Sequence, residues 1–215
     1  MAWRVLAGIT IVGASLCASG LNSGLWYDEI VTLLHSVRPS LGSIVTRFPG
    51  SNDHLLYSVL AHVSISLLGE HAWTLRLPAM LASVASLPML YIFGRTVTTR
   101  FEALAAAALL AVSYHFVWFS QNARAYALML LLALAATHLL VKGVREDRRT
   151  PLLGYSAAAA LSAYAHLTMV LAALTQGLIV AVYLIARRGG RFELRDFGNP
   201  ALGFGLAAAL TVLLY

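Results

Sequence analysis

The sequence predicts an all-α polytopic membrane protein of about seven transmembrane helices, with a long first outer loop that contains interfacial helices. Three observations carry that reading. Of 215 residues, 60% are hydrophobic and only 11% charged, whereas an average soluble domain carries roughly 25% charged residues. An ordinary soluble domain, a disordered tail and a secreted disulfide scaffold are thereby excluded, and the single Cys17 leaves no internal disulfide. Second, the chain holds long runs free of Asp, Glu, Lys and Arg: 5–27, 54–69, 77–94, 103–123, 125–141, 150–186 and 197–215. Third, the formal charge of +6 is unevenly spread. In a soluble chain it would suggest nucleic acid; in a hydrophobic one it reads as a topology signal, with Lys and Arg held on the cytoplasmic side. The partner implied is the lipid bilayer and not a nucleic acid.

The elements follow in order. A bilayer core of roughly 30 Å needs about 20 helical residues. The first span is placed at 5–21, an uncleaved anchor, although Arg4 and Cys17-Ala18-Ser19 imitate a signal peptide. Residues 22–76 form the first extracytoplasmic loop. Within it the apolar core 55–68 has 14 residues, a length that fits an interfacial helix better than a span. His54, Ser58, His62 and Ser66 recur every four residues and give it a polar stripe. Six further spans follow at 77–94, 103–119, 125–141, 152–163, 168–186 and 200–215. The 37-residue run 150–186 is too long for one span and is split near 164–168, where Tyr164, His166 and Thr168 interrupt the aliphatics. With the N-terminus cytoplasmic, eleven cations and five acids lie inside, and four cations and four acids outside. Making 54–69 a span would invert this. Residues 1–215 are read as a single transmembrane catalytic module; the last span is still apolar at Tyr215, so the chain is expected to be the N-terminal part of a longer protein.

The spans contain no Asp, Glu, Lys or Arg, although ion-coupled transporters usually place ionisable groups near the midplane. The chemistry-bearing residues instead gather at outer ends: Asp28, Glu29, Asp53, His54, His62, Glu70, Arg76, Gln121, Asn122, Arg124 and His166. Asp28 and Glu29 are adjacent, and neighbouring helical residues point about 100° apart, so the two acids are expected to do different jobs. Either they cap a short helix starting near Ile30 or one of them is catalytic. Arg124, in Ser120-Gln121-Asn122-Ala123-Arg124-Ala125-Tyr126, offers a fork of donors matched to phosphate oxygens, or else it is a snorkelling interfacial cation. Arg76 opens the second span and has the same two readings.

Trp26-Tyr27-Asp28-Glu29, Asn52-Asp53-His54-Leu55-Leu56-Tyr57, Gly69-Glu70 through Arg76-Leu77-Pro78, and Ser120 to Tyr126 come in an order that resembles the GT-C integral-membrane glycosyltransferases. The nearest likeness is to the group of protein O-mannosyltransferases, aminoarabinose transferases and rhizobial lipopolysaccharide-core glycosyltransferases. The resemblance implies a GT-C-like fold. It also implies transfer of a sugar from a polyprenyl-phosphate donor to a hydroxyl of a glycan, lipid or protein acceptor, with inversion, on the extracytoplasmic side of a bacterial inner membrane. It makes Asp28 the general base with Glu29 its companion. Arg76 and Arg124 lie near the donor phosphate, with Gln121 and Asn122 beside them, and His54 and His166 are substrate-binding. No cofactor is assigned; His54, Asp28 and His166 are residue types that suit a divalent metal, but no metal is placed. Two departures stand out: Ser120–Tyr126 holds no acid, and no proline follows His54. The alternative function is a transporter or flippase for a lipid-linked substrate.

Overall fold

A computed structural model describes residues 1–46, 54–187, 189 and 193–215. Among the described residues there are helices and no strands. They divide into two compact units, 1–131 and 132–215, with the division inside one long helix.

The first unit opens with α1 (Ala2–Ala18), followed by the short α2 (Tyr27–Val31), which runs directly into a π-helical turn over Thr32–Val37, and by α3 (Leu41–Thr46). Next come α4 (Leu55–Leu68), α5 (Ala72–Val97), α6 (Arg100–Ala111) and α7 (Tyr114–Ser120). The 26-residue α5 is the post on which α1, α4 and α6 pack. Small residues bring them close. A Cβ on Gly13 of α1 would lie 2.5 Å from Leu87 Cδ1 and 3.3 Å from the Ala111 Cβ, and one on Gly94 of α5 would lie 2.9 Å from the Ala103 Cβ. Leu6, Tyr91, Ala103 and Ala107 form one buried cluster at this seam, and Cys17, Leu87, Ala111 and Phe116 another.

Two prolines lie within α5, Pro78 and Pro88. Pro78 has no N–H to give the carbonyl four residues back. That carbonyl, of Thr74, accepts the Ser64 hydroxyl at 2.6 Å, and the next, of Leu75, accepts the Tyr57 hydroxyl at 2.7 Å. Thus α4 is tied to α5 where the helix ladder is weakened. The 14-residue α4 covers the stretch 55–68 that the polar stripe predicts.

In the second unit, α8 (Tyr126–Glu146) enters from the first; α9 (Arg149–Ala165), α10 (Met169–Arg187) and α11 (Leu194–Leu214) complete it. Leu152, Tyr155, Val180, Leu184 and Ala207 centre its core. Polar groups pair between helices: Ser156 donates to the Gly203 carbonyl at 2.8 Å, and Gln176 donates to Thr137 at 2.9 Å while accepting from Tyr155 at 3.1 Å. The break between α9 and α10 falls at 166–168, within the predicted split.

Several boundaries differ from the sequence expectation. Among the described residues four helices, α5, α8, α10 and α11, are long and apolar enough to cross a membrane. A fifth crossing needs α6 and α7 together, and these are bent by 60° rather than forming the continuous 103–119 span predicted. The bend falls at Val112-Ser113, two residues poorer in helix propensity than the alanines preceding them. Helices α1 and α9, at 17 residues each, are shorter than a straight crossing requires. The last helix starts at Leu194 rather than at 200, with Asp196 in its first turn. Apolar side chains remain exposed along α10 (Leu171, Leu174, Leu178, Ile179, Val182), as expected of a helix facing hydrocarbon. The chain is an integral membrane protein.

Candidate active site

The site lies within the first unit, where the end of α1, the start of α5 and the loop between α7 and α8 meet. Its foundation is an ion pair. Glu29 and Arg76, 47 residues apart, both have fully buried side chains. Arg76 Nε donates to Glu29 Oε1 at 2.8 Å and Nη2 to Oε2 at 2.6 Å, a two-pronged contact. The remaining guanidinium N–H groups are spent on the chain after α1. Nη1 donates to the carbonyls of Leu21 at 2.9 Å and Ser23 at 2.8 Å, with longer contacts to the Ser23 hydroxyl and the Gly20 carbonyl, and Nη2 donates to the Gly24 carbonyl at 3.0 Å.

Glu29 is equally committed. Its Oε2 also accepts the Trp26 N–H at 2.9 Å, closing the start of α2, and Oε1 accepts the Ala123 N–H at 2.7 Å from the loop after α7. Burying two charges costs several kcal/mol per ion unless their remaining hydrogen-bonding capacity is met; here each carboxylate oxygen takes two donors. The pair therefore joins three separate segments of chain.

That junction sets the position of a second, partly exposed pair. Asp28 precedes Glu29 and Arg124 follows Ala123, so the 2.7 Å bond between Glu29 and Ala123 holds their neighbours together. Arg124 Nη1 stands 3.9 Å from Asp28 Oδ2, with the Arg124 side chain 11% and the Asp28 side chain 67% exposed. The adjacent acids thus face apart, one into protein and one outward, as the helical offset requires.

Aromatic rings continue from this pair. Trp26 meets Trp118 edge-on at 6.4 Å, Trp118 meets Phe119 at 4.9 Å, Phe119 meets Tyr126 at 4.7 Å, and Tyr126 meets His54 at 5.8 Å. The juxtaposition of these rings comes from the loop geometry and has no local sequence signal. Below the ion pair, burial pushes the Tyr57 phenol well above its ordinary value, with the Glu29 charge adding to the rise and Arg76 opposing it.

Of the predicted site residues, the structure brings together Asp28, Glu29, Arg76, Gln121, Asn122, Arg124 and His54. Their surroundings differ from the expectation in three cases. Arg76 was expected beside a donor phosphate, yet its donors all face Glu29 and main-chain or Ser23 oxygens. Gln121 donates to the Leu16 carbonyl at 2.9 Å, anchoring the loop to α1, and Asn122 donates to the Trp118 carbonyl at 2.8 Å. Away from the pair, His62 Nδ1 lies 2.7 Å from the Val37 carbonyl. Arg38 holds Glu70 at 2.7 Å and keeps its carboxyl below the usual range. His166 belongs to the second unit, capping the end of α9, with its Nδ1 2.8 Å from the Thr168 hydroxyl. Asp53 lies outside the described residues. Among the described residues no three His, Cys, Asp or Glu side chains converge on a metal position.

A helical membrane protein with an exposed carboxylate beside a mostly buried arginine, fixed by a buried ion pair, is a frame suited to an enzyme acting at the bilayer surface. Residues 53–215 match the family model of dolichyl-phosphate-mannose-protein mannosyltransferases. The chain belongs to that family, which makes it a membrane glycosyltransferase and favours the enzyme over the flippase. No curated protein and no solved structure matches the chain. The match contains Arg76, Ala123 and Arg124 but begins after Glu29, so the ion pair ties the matched segment to the chain before it.

Proposed function

We propose that the protein transfers a sugar from a polyprenyl-phosphate donor to an acceptor hydroxyl, with inversion, at the Asp28–Arg124 site. The observation that carries the reading is the outward-facing Asp28 held 3.9 Å from Arg124 on segments that cannot shift independently. In the reaction Asp28 takes the proton of the acceptor hydroxyl as its oxygen bonds to the anomeric carbon. The bond from that carbon to the donor phosphate oxygen breaks, and its electron pair passes to the phosphate. That leaving group needs positive charge more than a proton donor, which Arg124 supplies. One carboxylate and one arginine suffice, without a facing acid pair.

Glu29, Arg76, Gln121 and Asn122 act in this reading by building the loop platform. His54, at the end of the aromatic row, is a substrate-binding candidate, as is His166 in the second unit. The family's mannosyl donor makes mannose the first sugar to assay, with a glycan, lipid or protein acceptor. The proposed topology keeps seven crossings, with α1, the bent α6–α7 pair and α9 completing the four long helices. It places the N-terminus in the cytoplasm and the site on the extracytoplasmic face of the inner membrane.

The test is Asp28→Asn in native membranes supplied with polyprenyl-phosphate mannose. Transfer should fall at least about 100-fold, the usual scale of lost general-base catalysis, while expression and thermal stability stay at the parent level. Turnover near that of the parent would refute the assignment.

A further inference from the structure

The other end of the first unit carries a cleft of about 430 Å³ lined by Trp3 of α1, Tyr91, Ile92 and Arg95 of α5, and Arg100 of α6. Arg95 lies 19 residues beyond Arg76 on the same helix, a rise of about 28 Å, close to the thickness of the hydrocarbon core. Residues 77–94 between them hold no charged side chain. If Arg76 marks one membrane boundary, Arg95 marks the other.

The lining has two chemistries. Trp3 and Tyr91 meet edge-on with centroids 5.4 Å apart, forming an apolar wall of the kind that sits at headgroup level. Arg95 and Arg100 supply two guanidinium forks, and neither has an ion-pair partner among the described residues. The acid nearest in sequence, Glu102, forms no ion pair with either of them. Its carboxylate accepts the Thr99 N–H at 3.0 Å and the hydroxyls of Thr98, the C-cap of α5, and Thr99, the N-cap of α6. Both arginines are exposed, so the charge stands where a phosphate can reach it.

We propose that this cleft binds the headgroup of an anionic phospholipid, its phosphate held between Arg95 and Arg100 and its first acyl carbons lying on Trp3, Tyr91 and Ile92. A planar fork matches phosphate oxygens in a way that an isolated point charge does not, and basic pockets between membrane helices are suited to anionic headgroups. An aromatic wall running from the headgroup level towards hydrocarbon fits a lipid and offers little to a free anion. The site is distinct from the Asp28–Arg124 pair, and its occupancy does not depend on what that pair does.

The experiment is a titration of the full chain in neutral detergent with phosphatidylglycerol or phosphatidylcholine, with bound lipid counted by native mass spectrometry. The parent protein should retain phosphatidylglycerol selectively. Arg95→Gln with Arg100→Gln should weaken that retention about 25-fold, at about fivefold per cation, with an unchanged melting temperature. Removing two cations elsewhere, as Arg187→Gln with Arg195→Gln, should leave retention as it was. An equal loss in that control would overturn the proposal, because general basicity would then explain the binding; so would undiminished retention in the cleft variant. Inorganic phosphate added to the same micelles separates the sources. A lipid site keeps its phosphatidylglycerol, and displacement by phosphate would overturn the lipid assignment.

Discussion

Replacing Glu29 by glutamine tests the reading of the ion pair most directly, because the change keeps shape and removes only charge and one acceptor. In the parent, Oε1 accepts from Arg76 Nε and the Ala123 N–H, and Oε2 accepts from Arg76 Nη2 and the Trp26 N–H. Whichever way the glutamine amide is turned, its NH₂ faces two donors. The substitution therefore loses two hydrogen bonds, sets donors against one another, and leaves the fully buried Arg76 without a counter-charge. Removing one partner of a buried pair costs about 3–5 kcal/mol, which for a chain of this length corresponds to roughly 6–20 °C in melting temperature. Thermal unfolding in detergent, followed by size-exclusion monodispersity, reads this out.

The companion variant Arg76→Met, alone and combined with Glu29→Gln, completes a double-mutant cycle. The double variant should be less destabilised than the sum of the singles by about 2 kcal/mol or more, since neither charge is then left alone. Transfer activity should fall in each variant together with stability. A Glu29→Gln protein within about 1 kcal/mol of the parent, by the scale that separates buried from surface pairs, would refute the idea that this carboxylate joins the three segments.

Three further outcomes are expected. Arg124→Gln should keep the unfolding free energy within about 1 kcal/mol of the parent, as a partly exposed pair requires, while binding of a polyprenyl-phosphate sugar weakens in an equilibrium assay; unchanged donor binding and turnover would make Arg124 an interfacial anchor only. Tyr57→Phe removes the hydroxyl that donates to the Leu75 carbonyl and should cost about 0.5–1.5 kcal/mol at neutral pH. Because the folded phenol titrates above its ordinary value of 10.0, the stability it contributes is fully present below pH 10 and is lost as the pH rises further; the gap between parent and variant should therefore narrow in alkaline melts. Glu70→Gln removes an exposed pair with Arg38 and should change stability by no more than about 1 kcal/mol, an effect visible above the ordinary glutamate range and fading as acid protonates the parent carboxyl.

What the sequence disclosed and what it hid divide along a physical line. Charge-free runs report how long an apolar helix can be, so α4, α5, α8, α10 and the break at His166 were legible. The bend at Val112-Ser113 was not, because hydropathy continues through it. The two acids were separable in advance, since a helix must turn adjacent side chains apart, but which one faces inward depends on where Arg76 arrives. That arginine lies 47 residues away, and its five N–H groups can be satisfied by a phosphate or by carbonyls of a folded loop with the same chemistry. The sequence therefore marked Arg76 as cationic at a span end but could not say whom it binds. The loop after α1 resolves the choice: Leu21, Ser23 and Gly24 turn their carbonyls onto one guanidinium, which leaves that guanidinium unable to take a substrate anion without unfolding its own support. Arg124, whose side chain keeps a solvent-facing portion beside Asp28, is the arginine we propose for the donor. Catalysis at this surface would then rest on a division of labour between two like pairs, one buried to hold position and one exposed to react.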